Sequence, residues 1–323
     1  MMLCSISNET FGRLSTWTTR YGSDMRESVQ MPSGPGQRQA QPAIVRSRIM
    51  RRYASRTRGA TMTTAEQTWT ESTAEVAGLS IRYLEGGNGP AAVVLHHSTG
   101  NLGWIPFYEA LAQNFTVTVP DLPGYGQSER PVWARDARDI AILMSRFLAQ
   151  VAPDSPTLIG LGFGGFIAAE LAAINQERIG SLVLVGAAGL QPDEGEILDQ
   201  MLVSYGEYVS AGFRDEAHYH EIFGEETAPE VRELWDFSRE MTARLSWKPY
   251  MFNRRLAPVL GEVQTPALVV AGSEDRVIPL TCARQYAGGL ANATLEIVEG
   301  AGHYVDYEEP EALAALVASH AGV

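Results

Sequence analysis

Two residues of this chain have the types and settings that suit proton transfer. Asp275 stands in LVVAGSEDRVIP and His303 in EGAGHYVDYEEPEAL, each just past an apolar, strand-like run. An imidazole that donates one ring N–H to a carboxylate has a fixed tautomer and a more basic second nitrogen, which a general base needs near neutral pH. A third stretch, TLIGLGFGGFIAAE over 157–170, can be read in two frames. Gly160-x-Gly162-x-x-Gly165 is the dinucleotide-binding fingerprint. Gly160-x-Gly162-x-Gly164 is the frame of the G-x-S-x-G nucleophile elbow, with glycine at the serine position.

The elements around the glycines decide between the frames. A dinucleotide fold carries its fingerprint at the first strand–helix turn, with an acidic residue for the ribose hydroxyls about 20 residues on. Here the glycines follow about the fifth strand. The next strand, in SLVLVGAAGLQ, offers no acid before Asp193. The nucleotide frame fails on both counts.

From Ala74 onward the pattern is regular. EVAGLSIRYLEGG reads as two strands joined by a Gly turn, and AAVVLHH (91–97) as a strand buried on both faces. IPFYEALAQNF, ARDIAILMSRFLAQVA and FIAAELAAINQ read as helices alternating with strands in FTVTVPDLPG, PTLIG and SLVLVGA. Strands recur at PALVVAG (266–272) and ATLEIVEG (293–300), and EPEALAALVASHA closes the chain as a helix. This alternation predicts an α/β fold with a mainly parallel, doubly wound sheet. The interval 188–262 breaks it with acid- and aromatic-rich helical sequence and no convincing strand, which predicts an inserted helical cap.

Composition narrows the function classes. The net charge of −13 is uneven: residues 1–61 hold ten Arg against three acids, a net of +7, and the remaining 15 basic and 35 acidic residues leave −20. So acidic a body does not suit nucleic acid, which needs a basic face to displace counterions. No apolar run approaches the roughly 18 residues that span a bilayer, so a soluble protein with no membrane partner is expected. Cys4 and Cys282 fit no metal or redox spacing, which suits a cytoplasmic setting. Residues 1–61, with stretches such as MPSGPGQRQAQP, bury too little apolar surface to order and are expected to be a disordered extension. Three readings of them stay open: an upstream extension without function before Met62, an organelle-targeting segment, and an interaction tail. Residues 62–323 then form one domain, with the cap at about 188–262; a homodimer is compatible with it.

The strand-terminal VVLHHSTG, DLPGYGQSERP after the next strand, the elbow frame, Asp275 and His303, in this order along the chain, resemble the α/β-hydrolase fold family over about residues 74–320. The closest likeness is to the capped branch of meta-cleavage-product C–C hydrolases, small esterases and haloperoxidase-like enzymes. Two positions depart from the family's pattern: His97 replaces the glycine of its His-Gly motif, and Gly162 replaces its nucleophile. The resemblance implies an oxyanion hole from the backbone amides of Phe163 and of Ser98 or His97. Loss of the serine from a working triad lowers the rate about 10⁶-fold, although oxyanion hole and binding alone keep about 10³–10⁴ over water. Acyl-enzyme chemistry is therefore not expected. What remains is a His303–Asp275 dyad doing non-covalent acid–base chemistry, by water-mediated hydrolysis or C–C or lyase-type cleavage, on a small carbonyl substrate without metal or cofactor. Two alternatives stay open: an inert pseudoenzyme that binds only, and a serine-type hydrolase with Ser98 as displaced nucleophile.

Lesser candidates complete the set. Trp104, Trp247, Tyr250 and Arg254 are candidates for substrate binding; SWKPYMFNRR also brings two arginines that could grip a carboxylate. Phe107 follows the oxyanion loop and could line an apolar pocket. His96 and Asp121 read as structural, and His97 as a possible substrate contact. His218 and His220, two apart, fall on different helix faces and do not form a metal pair.

Overall fold

The structure is a computed structural model and describes residues 67–323. The expected disordered extension 1–61 and the domain start at Met62 lie outside the described residues. An eight-stranded sheet is ordered β1-β2-β4-β3-β5-β6-β7-β8. Its strands are β1 (Trp69–Val76), β2 (Leu79–Gly86), β3 (Ala91–Leu95), β4 (Thr116–Pro120), β5 (Thr157–Leu161), β6 (Ser181–Val185), β7 (Ala267–Gly272) and β8 (Ala293–Val298). β1 and β2 are antiparallel, as are β2 and β4; every later pairing is parallel. β1 begins before the Ala74 at which the sequence pattern becomes regular. Its early residues, WTES, are an exposed edge with little apolar alternation to betray them.

The central strands β5, β6 and β7 are buried at every residue, which is why they read as unbroken apolar runs. Helices α1 (Pro106–Leu111), α2 (Ala137–Val151), α3 (Phe163–Asn175), α7 (Leu280–Gly289), α8 (Val305–Glu308) and α9 (Pro310–Ala321) accompany the sheet. Two apolar clusters result. One holds α2, α3 and most of the insert; the other holds α1, α9 and Trp104.

Between β6 and β7 lie α4 (Tyr205–Ala211), α5 (Glu216–Phe223) and α6 (Pro229–Ser246). α4 starts with a capping box in which Ser204 and Glu207 satisfy each other's backbone amides, a local signal that fixes its first residue. The insert is tied to the loop after β3. The Tyr205 hydroxyl donates to the Ser98 carbonyl at 3.2 Å, and Thr242 reaches the same oxygen at 3.4 Å. These bonds fix the helical insert over the C-terminal edge of the strands, where a doubly wound sheet places its ligands.

Candidate active site

The turn from β5 into α3 is made by Gly162, at φ +53° and ψ −109°. Few residues but glycine adopt this backbone without strain. The turn is held on both sides: Gly162 N–H donates to the Val185 carbonyl at 2.9 Å, and its own carbonyl accepts from Ala188 at 3.1 Å. Gly164 lets α3 press onto β3; a Cβ there would lie 2.1 Å from the Leu95 carbonyl oxygen. Phe163 is the first residue of α3, so its N–H has no helical carbonyl behind it.

Asp275 follows β7 and is satisfied from three directions. Its Oδ1 accepts from the Val277 and Ile278 amides, each at 2.8 Å, and its Oδ2 accepts from His303 Nδ1 at 2.8 Å. The pair is buried, with side chains 2% and 3% exposed. An ionised carboxylate only accepts, so the proton of this bond sits on His303 Nδ1 and the Nε2 lone pair points away. It points at Gly162: a Cβ on that glycine would lie 2.9 Å from Nε2. The close fit of the dyad also needs Gly186, whose φ is +52° and whose Cβ would lie 3.0 Å from His303 Nδ1 and 3.3 Å from Asp275.

A second imidazole meets the same point. His97 Nδ1 would lie 2.6 Å from a Gly162 Cβ, closer than His303 does. His97 Nε2 is 2.9 Å from Asp306 Oδ1, and this pair too is buried, at 5% and 1% exposed. The His97 and His303 rings stand edge to face at 5.1 Å, with Tyr304 against both. Burial pushes the His97 pKa below its ordinary value of 6.5; the proximity of His303 pushes the same way, against the carboxylates of Asp306 and Asp275. The place a serine side chain would take is thus bounded by two imidazole nitrogens, and a serine could enter only if His97 moved.

Other residues read from the sequence fall at varying distance from this point. Ser98 is buried, and its hydroxyl lies 3.4 Å from that of Tyr208 on α4. That bond gives Ser98 a weakly acidic neighbour in place of a base, since burial raises the Tyr208 pKa. His96 is satisfied structurally: Nδ1 bonds the His97 carbonyl at 2.7 Å and Nε2 accepts from Leu122 N–H at 3.0 Å. Asp121 holds the Gln127 amide at 2.9 Å and Arg82 at 3.2 Å.

The four substrate-binding candidates do not converge. Trp104 donates to Glu109 at 2.8 Å and stacks on Trp69, within the cluster of α1 and α9. Phe107 belongs to that cluster as well. Trp247 is 62% exposed. Arg254 is exposed and lies over the Phe252 ring, 6.0 Å from its centroid. Tyr250 is half-buried in the insert; its hydroxyl donates to Leu198 and accepts from the Gln200 amide. The density of aromatics in SWKPYMFNRR reflects an insert core and a surface loop.

Asp306 was not singled out in the sequence, although it stands three residues after His303. The signal lies in GHYVD itself, where the histidine loop runs into a one-turn helix that brings the acid back toward β3. Gln200 carries no such mark. It is fully buried, and neither end of its amide has a hydrogen-bond partner among the described residues.

Comparison with known proteins identifies the fold that carries this geometry. Residues 93–316 match the Alpha/beta hydrolase family. The 2-hydroxy-6-oxononadienedioate/2-hydroxy-6-oxononatrienedioate hydrolase 1 of Dechloromonas aromatica is 24% identical over 253 residues, 72% of this chain and 87% of that protein. Among solved structures, the 2-hydroxy-6-oxo-6-phenylhexa-2,4-dienoate hydrolase of Rhodococcus sp. strain RHA1 superposes with a TM-score of 0.61 at 22% identity, over 79% of this chain and 99% of that one. A bacterial membrane phospholipase A reaches a TM-score of 0.69 at 23% identity, over 86% and 90% of the two chains. Such distant structures share the fold and not necessarily the reaction. With more than half its length matched, and with strand order, turn and helical insert all in place, this chain belongs to the alpha/beta hydrolase family.

Proposed function

We propose that the chain is a cofactor-independent hydrolase that activates water, not a side chain, as its nucleophile. The observation that carries this is the His303–Asp275 pair, bonded at 2.8 Å, whose free imidazole nitrogen faces a glycine at the strand–helix turn. His303 Nε2 takes a proton from water as the oxygen adds to a substrate carbonyl. The resulting oxyanion is held by the N–H of Phe163 with that of Ser98 or His97. Collapse breaks the C–O or C–C bond, and the leaving group takes its proton from His303. No covalent adduct to the protein forms at any stage.

The names of the relatives suggest the substrate class: oxo-dienoates, in which a C–C bond lies beside a carbonyl. Such an acid needs polar groups near the reacting carbonyl to orient it. The Tyr208 hydroxyl, 3.4 Å from that of Ser98, is the polar group we assign to that orientation.

The test combines labelling and turnover. A fluorophosphonate should leave the protein unmodified, while 2-hydroxy-6-oxo-dienoates or p-nitrophenyl esters are hydrolysed by wild type and not by His303→Ala. Labelling of the native chain would transfer the nucleophile to Ser98. Inactivity on every substrate, with no change in His303→Ala, would make the protein a binding relative of the hydrolases.

A further inference from the structure

Two imidazole–carboxylate pairs converge on one glycine, and the reaction above uses only one of them. In the second, Asp306 accepts from His97 Nε2–H, which leaves the Nδ1 lone pair of His97 facing Gly162. That nitrogen is buried without a hydrogen-bond partner among the described residues. His303 Nε2 presents a lone pair to the same place. Two acceptors cannot satisfy each other, and a buried acceptor left unmet is destabilising by about 1–3 kcal/mol. The complement to two converging lone pairs is one small molecule with two hydrogens to donate.

We propose that His97, oriented by Asp306, is a second catalytic base, and that His97 Nδ1 and His303 Nε2 hold one water by its two hydrogens beside Gly162. This rests on the water-activating reading of His303 and adds a role for the partner ring. The stoichiometry of hydrolysis explains why two bases are useful. Cleavage of R–CO–X by water yields a carboxylate, H–X and one proton. His303 carries the first hydrogen of the water from the attacking oxygen to the leaving group X. The second hydrogen stays on the added oxygen until the product acid forms, and His97 takes it as that acid ionises. The proton then passes from His97 to solvent when the product leaves.

The two departures from the family pattern become one. A side chain at 162 would meet His97 Nδ1 at 2.6 Å, so the imidazole at 97 requires glycine at 162. His97 is also poised as an acceptor: its low pKa keeps the ring neutral. The ionisable groups around it are Asp306 and Tyr304 from the last loop and α8, His303 with Asp275 behind it, and Tyr108 on α1, which sits in the field of Asp306.

The experiment is nitrogen-15 spectroscopy of the histidine rings in the full chain, paired with p-nitrophenyl acetate hydrolysis. At pH 7.5, His97 Nδ1 and His303 Nε2 should both resonate as unprotonated nitrogens. His303→Gln should shift the His97 Nδ1 resonance, and His97→Gln should shift that of His303 Nε2. His97→Gln should lower kcat about tenfold or more with KM little changed, and Asp306→Asn should move the His97 titration midpoint as well as kcat. A proton found on His97 Nδ1, a single proton shared between the rings, or indifference of His97 to His303→Gln would overturn the proposal. Coupled rings with hydrolysis untouched by His303→Gln would instead overturn the reading of His303. Should the ester prove no substrate, the spectra decide alone. Should His97→Gln fail to give a cooperative melt, the His303→Gln arm decides.

Discussion

The two histidine–aspartate pairs at Gly162 are alike in type and unlike in support. Asp275 has both oxygens engaged, by two backbone amides and His303. Asp306 has one oxygen on His97, and its other, Oδ2, has no hydrogen-bond partner among the described residues. The loop after β7 therefore presets Asp275 with the backbone, whereas Asp306 depends on the ring it orients. A fully satisfied buried carboxylate is rigid. A half-satisfied one is less firmly held, and its site is the easier of the two to perturb. The difference teaches that the pair following the family pattern is built into the scaffold, and that the pair around His97 is held by side chains.

The largest effect should fall on the scaffolded pair. Replacing His303 with Ala removes the proposed base, and kcat/KM on any hydrolysed ester should fall by about 10²–10⁴. Asp275→Asn should approach that loss, because an amide can reverse the tautomer of the ring while leaving the fold intact. Steady-state rates checked against circular dichroism separate the two explanations. An Asp275→Asn variant as active as wild type would remove any functional distinction between the pairs.

Gly162 tests the crowding that the second pair creates. Gly162→Ala must adopt φ near +53° and bring a Cβ to 2.6 Å from His97 Nδ1. The backbone alone should make it less stable by about 1–3 kcal/mol, a fall in Tm of several degrees. The contact with His97 adds to this, so Gly162→Ala and His97→Ala together should destabilise less than their sum, by about 0.5 kcal/mol or more. Strict additivity in a thermal-melt cycle would mean that the imbalance between the pairs does not arise from crowding at Gly162.

The same contrast governs how much was legible in the sequence. Asp275, His303 and the glycine turn stand where strands end, and parallel strands betray themselves as apolar runs; backbone periodicity thus carries these residues to one sheet edge. His97–Asp306 joins residues 209 apart through side chains alone. Neither periodicity nor turn chemistry encodes such a contact. The packing of Trp104 was hidden from the sequence for a related reason. Its position after the oxyanion loop says nothing about which face of the sheet its indole takes, and the bond to Glu109 takes it into the cluster of α1 and α9. The acidic run Asp193–Glu196 likewise reads as a helix start, yet it forms an exposed bend, and the first helix of the insert waits for the capping box at Ser204.

Lowering the pH should expose the second pair through stability. The folded-state pKa of His97 lies below its ordinary 6.5, mainly from burial. Well above pH 6.5 the ring is neutral in folded and unfolded chains alike and contributes no pH dependence. As the pH falls below 6.5 the unfolded chain binds a proton that the folded chain does not, so stability drops. His97→Gln should therefore flatten the stability profile between about pH 6.5 and 5, measured by urea melts across that range. An unchanged slope would show that His97 takes up its proton at the same pH in the folded and unfolded chains, and that burial does not set its charge.

The smallest effect belongs to a third pair that serves as the control. His218 Nδ1 lies 3.0 Å from Asp215 Oδ1, a bond much like the other two, with side chains 37% and 53% exposed. Asp215 is the N-cap of α5, and its carboxylate accepts the His218 backbone amide at 2.8 Å whether or not the ring is present. Water solvates both partners and screens their attraction, so the pair adds little. His218→Ala should leave turnover unchanged and shift Tm by no more than about one degree. Should it match His97→Gln in either measurement, burial would not be what separates a working imidazole–carboxylate pair from an incidental one.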